Sequence, residues 1–139
     1  MTRRASERFS LAAADIQTAV AWIAAQADAL GATQRQSFGA QLCAEEILVN
    51  AIRHGGRSRL TLSVMLESLP DRLRLTLEDD GAAFDLAAAP ERRTDASLDE
   101  SRPGGWGLSL VRRFAARIDY RRTESGNWLI LDFSRESDP

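Results

Sequence analysis

Lysine is absent from this 139-residue chain: all 18 basic residues are arginine, set against 20 carboxylates. A P-loop nucleotide site needs its Gly-Lys-Ser/Thr, the protein-kinase fold needs its strand lysine, and Schiff-base chemistry needs an amine. None of the three can be built here. Cysteine is nearly absent too. The single Cys43 cannot make an internal disulfide or a cysteine-built metal site, and among helix formers it reads as an inert buried thiol. No stretch reaches the roughly 18 apolar residues that a membrane span requires. The paired Arg3-Arg4 is followed by Ser, Glu, Arg and Phe rather than the apolar core of an export signal, so a cytoplasmic protein is expected. A net charge of −2 leaves no basic footprint for nucleic acid.

What is present suits one globular domain over residues 1–139, with 44% hydrophobic and 27% charged residues. A short strand is expected at Glu7–Leu11. An Ala-rich helix follows from Asp15 to Leu30, with Ile16, Val20, Ile23 and Ala27 at helical spacing and Gly31 as its stop. A longer helix runs from about Thr33 to His54 and ends at Gly55-Gly56. The period then changes to two. Leu60, Leu62, Val64 and Leu66 alternate with polar residues, as do Leu73, Leu75 and Leu77 after the Pro70-Asp71 turn. Residues 86–104 are mainly Ala, Pro, Arg, Asp, Glu and Ser without consistent period, and a loop of that length is either a functional lid or disordered; the lid is placed at about 86–105. A third helix is expected over Leu108–Arg117. A closing hairpin would pair Ile118–Thr123 with Trp128–Phe133 around Ser125-Gly126-Asn127. The fold class is α+β: a two-layer sandwich whose mixed, mostly antiparallel sheet carries its helices on one face.

Three features carry chemistry. On the long helix, Glu46, Asn50, Arg53 and His54 fall at offsets that place them on a single stripe of an otherwise apolar surface. Buried polar groups are costly unless they face a cleft or one another. The stripe is therefore either a site or a satisfied Glu46–Arg53 pair, with His54 favoured at a helix C-terminus. A carboxamide oxygen such as that of Asn50 suits a hard cation, Mg²⁺ in particular. Next, Asp79-Asp80-Gly81 closes a strand. A carboxylate there can accept a hydrogen bond from an exocyclic amine while glycine permits close approach, although Asp-Gly is also an ordinary turn. Last, Gly104-Gly105-Trp106-Gly107-Leu108 opens a helix, where free backbone N–H groups attract anions.

The order of these features, Glu-x-x-x-Asn, then Asp-x-Gly-x-x-Phe, a long polar loop and Gly-x-Gly-Leu, resembles the N, G1 and G2 boxes of the GHKL (Bergerat-fold) ATPases. The small size, without a phospho-acceptor histidine domain, is most similar to the anti-sigma-factor serine/threonine kinases. That resemblance runs from about Phe9 to Phe133. It implies ATP as substrate with Mg²⁺ held at Asn50, and Glu46 as general base. Asp79 would receive the adenine amino group, with Gly81 giving room beside it and Phe84 completing the box. Arg53 would lie near the phosphates, and Gly105, Gly107 and Leu108 would form the lid hinge and helix start. It further implies a homodimer that binds a sigma factor and phosphorylates a STAS-type anti-anti-sigma partner on serine, with no nucleic-acid or membrane contact. Two other readings fit the same boxes: an ATP-sensing module without catalysis, and a stand-alone histidine-kinase-type catalytic domain. The G2 stretch departs from many relatives at Pro103-Gly104-Gly105-Trp106, which alters how the lid would close.

Overall fold

A computed structural model describes residues 3–54, 58–82 and 107–135. The expected lid at about 86–105, with Phe84, Gly105 and Trp106, lies outside the described residues, as do Gly55 and Gly56. Strand β1 spans Arg3–Leu11, and a 3-10 turn at Ala13–Asp15 leads into helix α1, Ile16–Ala29. Helix α2 spans Gln34–His54, followed by β2 (Leu60–Ser68) and β3 (Arg72–Asp79). Helix α3 (Gly107–Phe114), β4 (Arg117–Arg122) and β5 (Asn127–Ser134) complete the described elements.

The turns between helices follow from local chemistry. At the end of α1, Gly31 adopts φ +80°, Ala32 N–H donates to the Ala27 carbonyl at 3.0 Å and Gly31 N–H to that of Asp28 at 3.0 Å. This is a Schellman closure, which places glycine where a left-handed residue is needed. Helix α2 opens with a reciprocal cap. Gln36 N–H donates to Thr33 Oγ1 at 3.1 Å, and Thr33 N–H donates to Gln36 Oε1 at 2.9 Å, satisfying two otherwise orphaned donors. The amide of Gln36, itself buried, also donates to the Phe133 carbonyl at 3.0 Å and ties α2 to β5.

The sheet order is β1-β2-β3-β5-β4, and every described pairing is antiparallel. The expected mixture therefore resolves, among the described residues, to a wholly antiparallel sheet. Leu62, Val64, Leu66, Leu73, Leu75, Leu77, Leu129, Leu131 and Phe133 point to one side and are buried against Ile23, Ala27, Ala40, Cys43, Ala44 and Leu48 of the helices. The two-residue period laid these side chains on one face, as the sequence requires. Gly39 lets α2 approach closely, because a Cβ there would sit 3.1 Å from Phe133 Cδ1 and 3.3 Å from Phe114 Cβ. No described helix is long and apolar enough to cross a membrane.

Several expected boundaries move. β1 begins at Arg3 rather than Glu7, since its register with β2 continues to Arg3 opposite Ser68; polar residues on an edge strand conceal the alternation. α3 ends at Phe114 rather than Arg117. Ala116 N–H donates to the Asp132 carbonyl at 2.7 Å, so sheet pairing captures residues whose own propensity is helical. Asn127, expected in the hairpin turn, is the first residue of β5.

Candidate nucleotide site

Helix α2 lies across the sheet so that Ile47 and Ala51, one turn apart, form one wall of a small cavity. Leu77 and Asp79 of β3, Tyr120 of β4, and Asn127 and Leu129 of β5 form the rest. The lining of this narrow slot is mostly apolar, with Asp79, Tyr120 and Asn127 as its polar members. Glu46 and Asn50 occupy the neighbouring stripe of the same helix, one residue before Ile47 and Ala51 respectively. Asn50 is buried, and its carboxamide forms no hydrogen bond among the described residues. Glu46 is half-buried with its Oε2 atom fully covered. Arg53, one turn on, is exposed.

Asp79 ends β3 at the edge of the slot. Its Oδ1 accepts two hydrogen bonds, from Gly81 N–H at 2.7 Å and from Asn127 Nδ2 at 3.0 Å. The space that glycine leaves at position 81 is filled by this carboxylate. A Cβ on Gly81 would fall 2.9 Å from Asp79 Oδ1 and 3.0 Å from Leu60 Cδ2. Glycine is thus required first so that Asp79 can fold back on the chain after it. Gly107, with Leu108 next, opens α3.

The sequence reading missed the β4–β5 hairpin as part of this site. Asn127 Nδ2 also donates to the Ala82 carbonyl at 2.8 Å, and Arg122 Nη1 donates to the Gly81 carbonyl at 2.8 Å. Ser125-Gly126-Asn127 carries only a turn signal, and nothing local announces that the turn will meet Asp79 from 48 positions away.

Electrostatics separate Cys43 from any reaction. Burial, and secondarily the charge of Glu46, push its thiol from 9.0 up to about 12, so it stays protonated and unreactive at neutral pH. Among the described residues no three His, Cys, Asp or Glu side chains are grouped to hold a metal. Mg²⁺, which commonly takes one or two protein oxygens with water and phosphates completing its shell, is compatible with a lone buried carboxamide such as Asn50. A separate shallow depression on the opposite face of the sheet, lined by Ser6, Arg8, Met65, Thr76 and Glu78, contains none of the motif residues.

A family model described as a histidine kinase-like ATPase domain matches residues 9–133. The serine/threonine-protein kinase BtrW of Bordetella bronchiseptica is 34% identical over 99 residues, covering 70% of this chain and 70% of that protein. The serine-protein kinase RsbW of Staphylococcus aureus is 26% identical over 88 residues, covering 58% of this chain and 55% of that protein. The catalytic domain of histidine kinase ThkA superposes with a TM-score of 0.52 at 13% identity, covering 93% of this chain and 96% of that one; this likeness is one of fold alone. From the edge strand to the last strand, the chain belongs to the histidine kinase-like ATPase domain family.

Proposed function

We propose that this chain is an ATP-dependent protein serine kinase. The observation that supports the reading best is the apolar slot ending at Asp79, set beside the Glu46–Asn50 stripe of α2. The adenine ring enters between Ile47, Ala51, Leu77 and Leu129, and its amino group donates to the Asp79 carboxylate. The phosphates extend along the neighbouring stripe toward Asn50 and Arg53, with the start of α3 at Gly107 and Leu108 offering backbone N–H groups. Arginine at position 53 holds its charge and grips phosphate with two donors. Phe84 and Gly105 belong to the same proposed nucleotide site. Asn50 would hold Mg²⁺, which when bound would neutralise charge on the phosphates.

In the transfer step a serine hydroxyl of the partner attacks the γ-phosphorus. An O–P bond forms to serine, the bond to the β–γ bridging oxygen breaks, and ADP leaves with that electron pair. Glu46 takes the hydroxyl proton, the part a positioned carboxylate plays in general-base catalysis. Most of the rate enhancement comes from positioning and charge stabilisation.

The names of BtrW, a serine/threonine-protein kinase, and RsbW, a serine-protein kinase, support a hydroxyl acceptor over histidine. The resemblance to the anti-sigma branch supports a homodimer that restrains a sigma factor and is switched by phosphorylating a STAS-type partner. The deciding experiment incubates the protein with γ-labelled ATP and a candidate STAS partner. Acid-stable label on a serine is expected, with Glu46→Ala retaining ATP affinity while losing at least about 10²-fold in transfer. Transfer at the wild-type rate by Glu46→Ala would refute the base assignment. Acid-labile label would mark a histidine kinase, and tight ATP binding without any label an ATP-sensing module.

A further inference from the structure

We infer that Asn127 is the positioning residue that sets base selectivity at this site, holding Asp79 so that its second oxygen meets an adenine amine. The inference rests on the reading of Asp79 as the base-recognising carboxylate and names the device that aims it. A carboxylate on a strand end can rotate, and as a lone acceptor it would take a water, a ring N–H or an amine with little preference. Here the rotation is stopped. Both donors that reach Asp79 among the described residues, Gly81 N–H and Asn127 Nδ2, land on Oδ1, which assigns Oδ2 to the ligand.

The carboxamide of Asn127 is itself held in one orientation. Its Oδ1 accepts from the Tyr120 hydroxyl at 2.6 Å and from Arg122 Nη1 at 3.3 Å. An amide turned over would set its NH₂ against the donor-only Arg122 guanidinium and its oxygen against the Asp79 carboxylate and the Ala82 carbonyl. With Oδ1 so occupied, Nδ2 faces Asp79 and the Ala82 carbonyl, 3.0 and 2.8 Å away. Asn127 is buried, so water competes poorly for these bonds. Tyr120 and Asn127 both line the slot with Asp79, so the residues that orient the carboxylate also bound the space the base fills. The selectivity follows from donor and acceptor sense. An amine at the purine 6-position donates to the fixed Oδ2, whereas a 6-carbonyl meets it acceptor to acceptor.

The test compares ATP with inosine triphosphate, which differs at that position, by titration calorimetry on the full chain. Wild-type protein is expected to prefer ATP, and Asp79→Asn to lose the preference. Asn127→Ala is expected to weaken ATP roughly tenfold, a hydrogen bond to a charged group being lost, while inosine triphosphate changes by less than about twofold, so that the preference collapses. Tyr120→Phe, which removes one hydroxyl, is expected to move the ratio in the same direction by a smaller factor, and thermal melting of both variants reports folding. A general loss of structure would weaken both nucleotides alike. An unchanged ratio in Asn127→Ala and Tyr120→Phe, with the ratio lost in Asp79→Asn, overturns the role of Asn127 and leaves Asp79 as the base reader. An unchanged ratio in all three, or no preference in the wild type, overturns the reading of Asp79 and this inference with it.

Discussion

Gly126 rests directly on the main chain of Asp79. A β-carbon at position 126 would overlap the Asp79 carbonyl oxygen and come within 2.8 Å of Asp80 Cα. The hairpin turn holding Gly126 is closed by Thr123, whose N–H donates to the Gly126 carbonyl at 2.8 Å and whose Oγ1 accepts from Gly126 N–H at 3.0 Å. The turn is therefore a fixed buttress against the end of β3.

Gly126→Ala is expected to push the Asp79–Asp80 backbone aside. Overpacking of this kind costs about 1–3 kcal/mol, read as a lower thermal midpoint, and ATP affinity should fall with it if the displaced Asp79 carries the carboxylate proposed to recognise the base. Affinity unchanged in calorimetry, despite a lower midpoint, would show that the strand end is not coupled to the site.

Asn50→Ala tests the metal. Wild-type affinity for ATP should fall when Mg²⁺ is chelated, whereas the variant should bind weakly, by about tenfold, and respond little to the metal. Titrations with Mg²⁺ and with a chelator give the comparison directly. An Mg²⁺ response equal to that of the wild type would remove Asn50 from the metal site.

Asp132 offers a stability prediction independent of nucleotide. Its buried carboxylate takes Arg74 in a two-pronged contact, Nε to Oδ1 at 2.8 Å and Nη2 to Oδ2 at 3.0 Å, and Arg72 Nε lies 3.5 Å from Oδ2. The hydrogen bond that Arg74 donates to Asp132 raises the pKa of Arg74 above its ordinary value. Asp132→Ala leaves a half-buried guanidinium without this partner and should cost about 2–4 kcal/mol, lowering the thermal midpoint by roughly 10 °C. ATP affinity measured well below that midpoint should stay near wild type.

Cys43 should be silent toward thiol reagents. With its thiol pushed up to about 12, the thiolate fraction at pH 8 is minute and the sulfur is covered. Labelling by a maleimide is expected to be slow in the native protein and fast after denaturation. Because the unfolded thiol ionises first, near 9.0, Cys43 lowers native stability only as the pH rises above that value. Rapid native labelling at pH 8 would place the side chain at the surface instead.

How much of this was legible in sequence differs from residue to residue. The core face of β2, β3 and β5 could be read directly, because alternation with a period of two puts Leu62, Leu75 and Leu131 on one side whatever the strand order. The stripe of Glu46, Asn50 and Arg53 was legible for the same reason, a helix fixing the angle between residues on its own surface. The Gly31 stop was as plain. The Thr33–Gln36 cap was present in the sequence as a Thr-x-x-Gln pattern, although the link from Gln36 to Phe133 was not.

The absence of lysine and the three boxes in their order determined which kind of nucleotide site the chain could hold, since these depend on residue type and local spacing alone. Strand order, the early end of α3 and the union of Asp79 with Asn127 and Tyr120 were decided only by tertiary structure. They are pairings between distant segments, made when β5 enters the sheet between β3 and β4. Their energies depend on which partner burial brings within hydrogen-bonding distance, and no local propensity carries that information. Asn127 shows the division most clearly: its sequence neighbours mark only a turn, and its partner, Asp79, was chosen by the sheet.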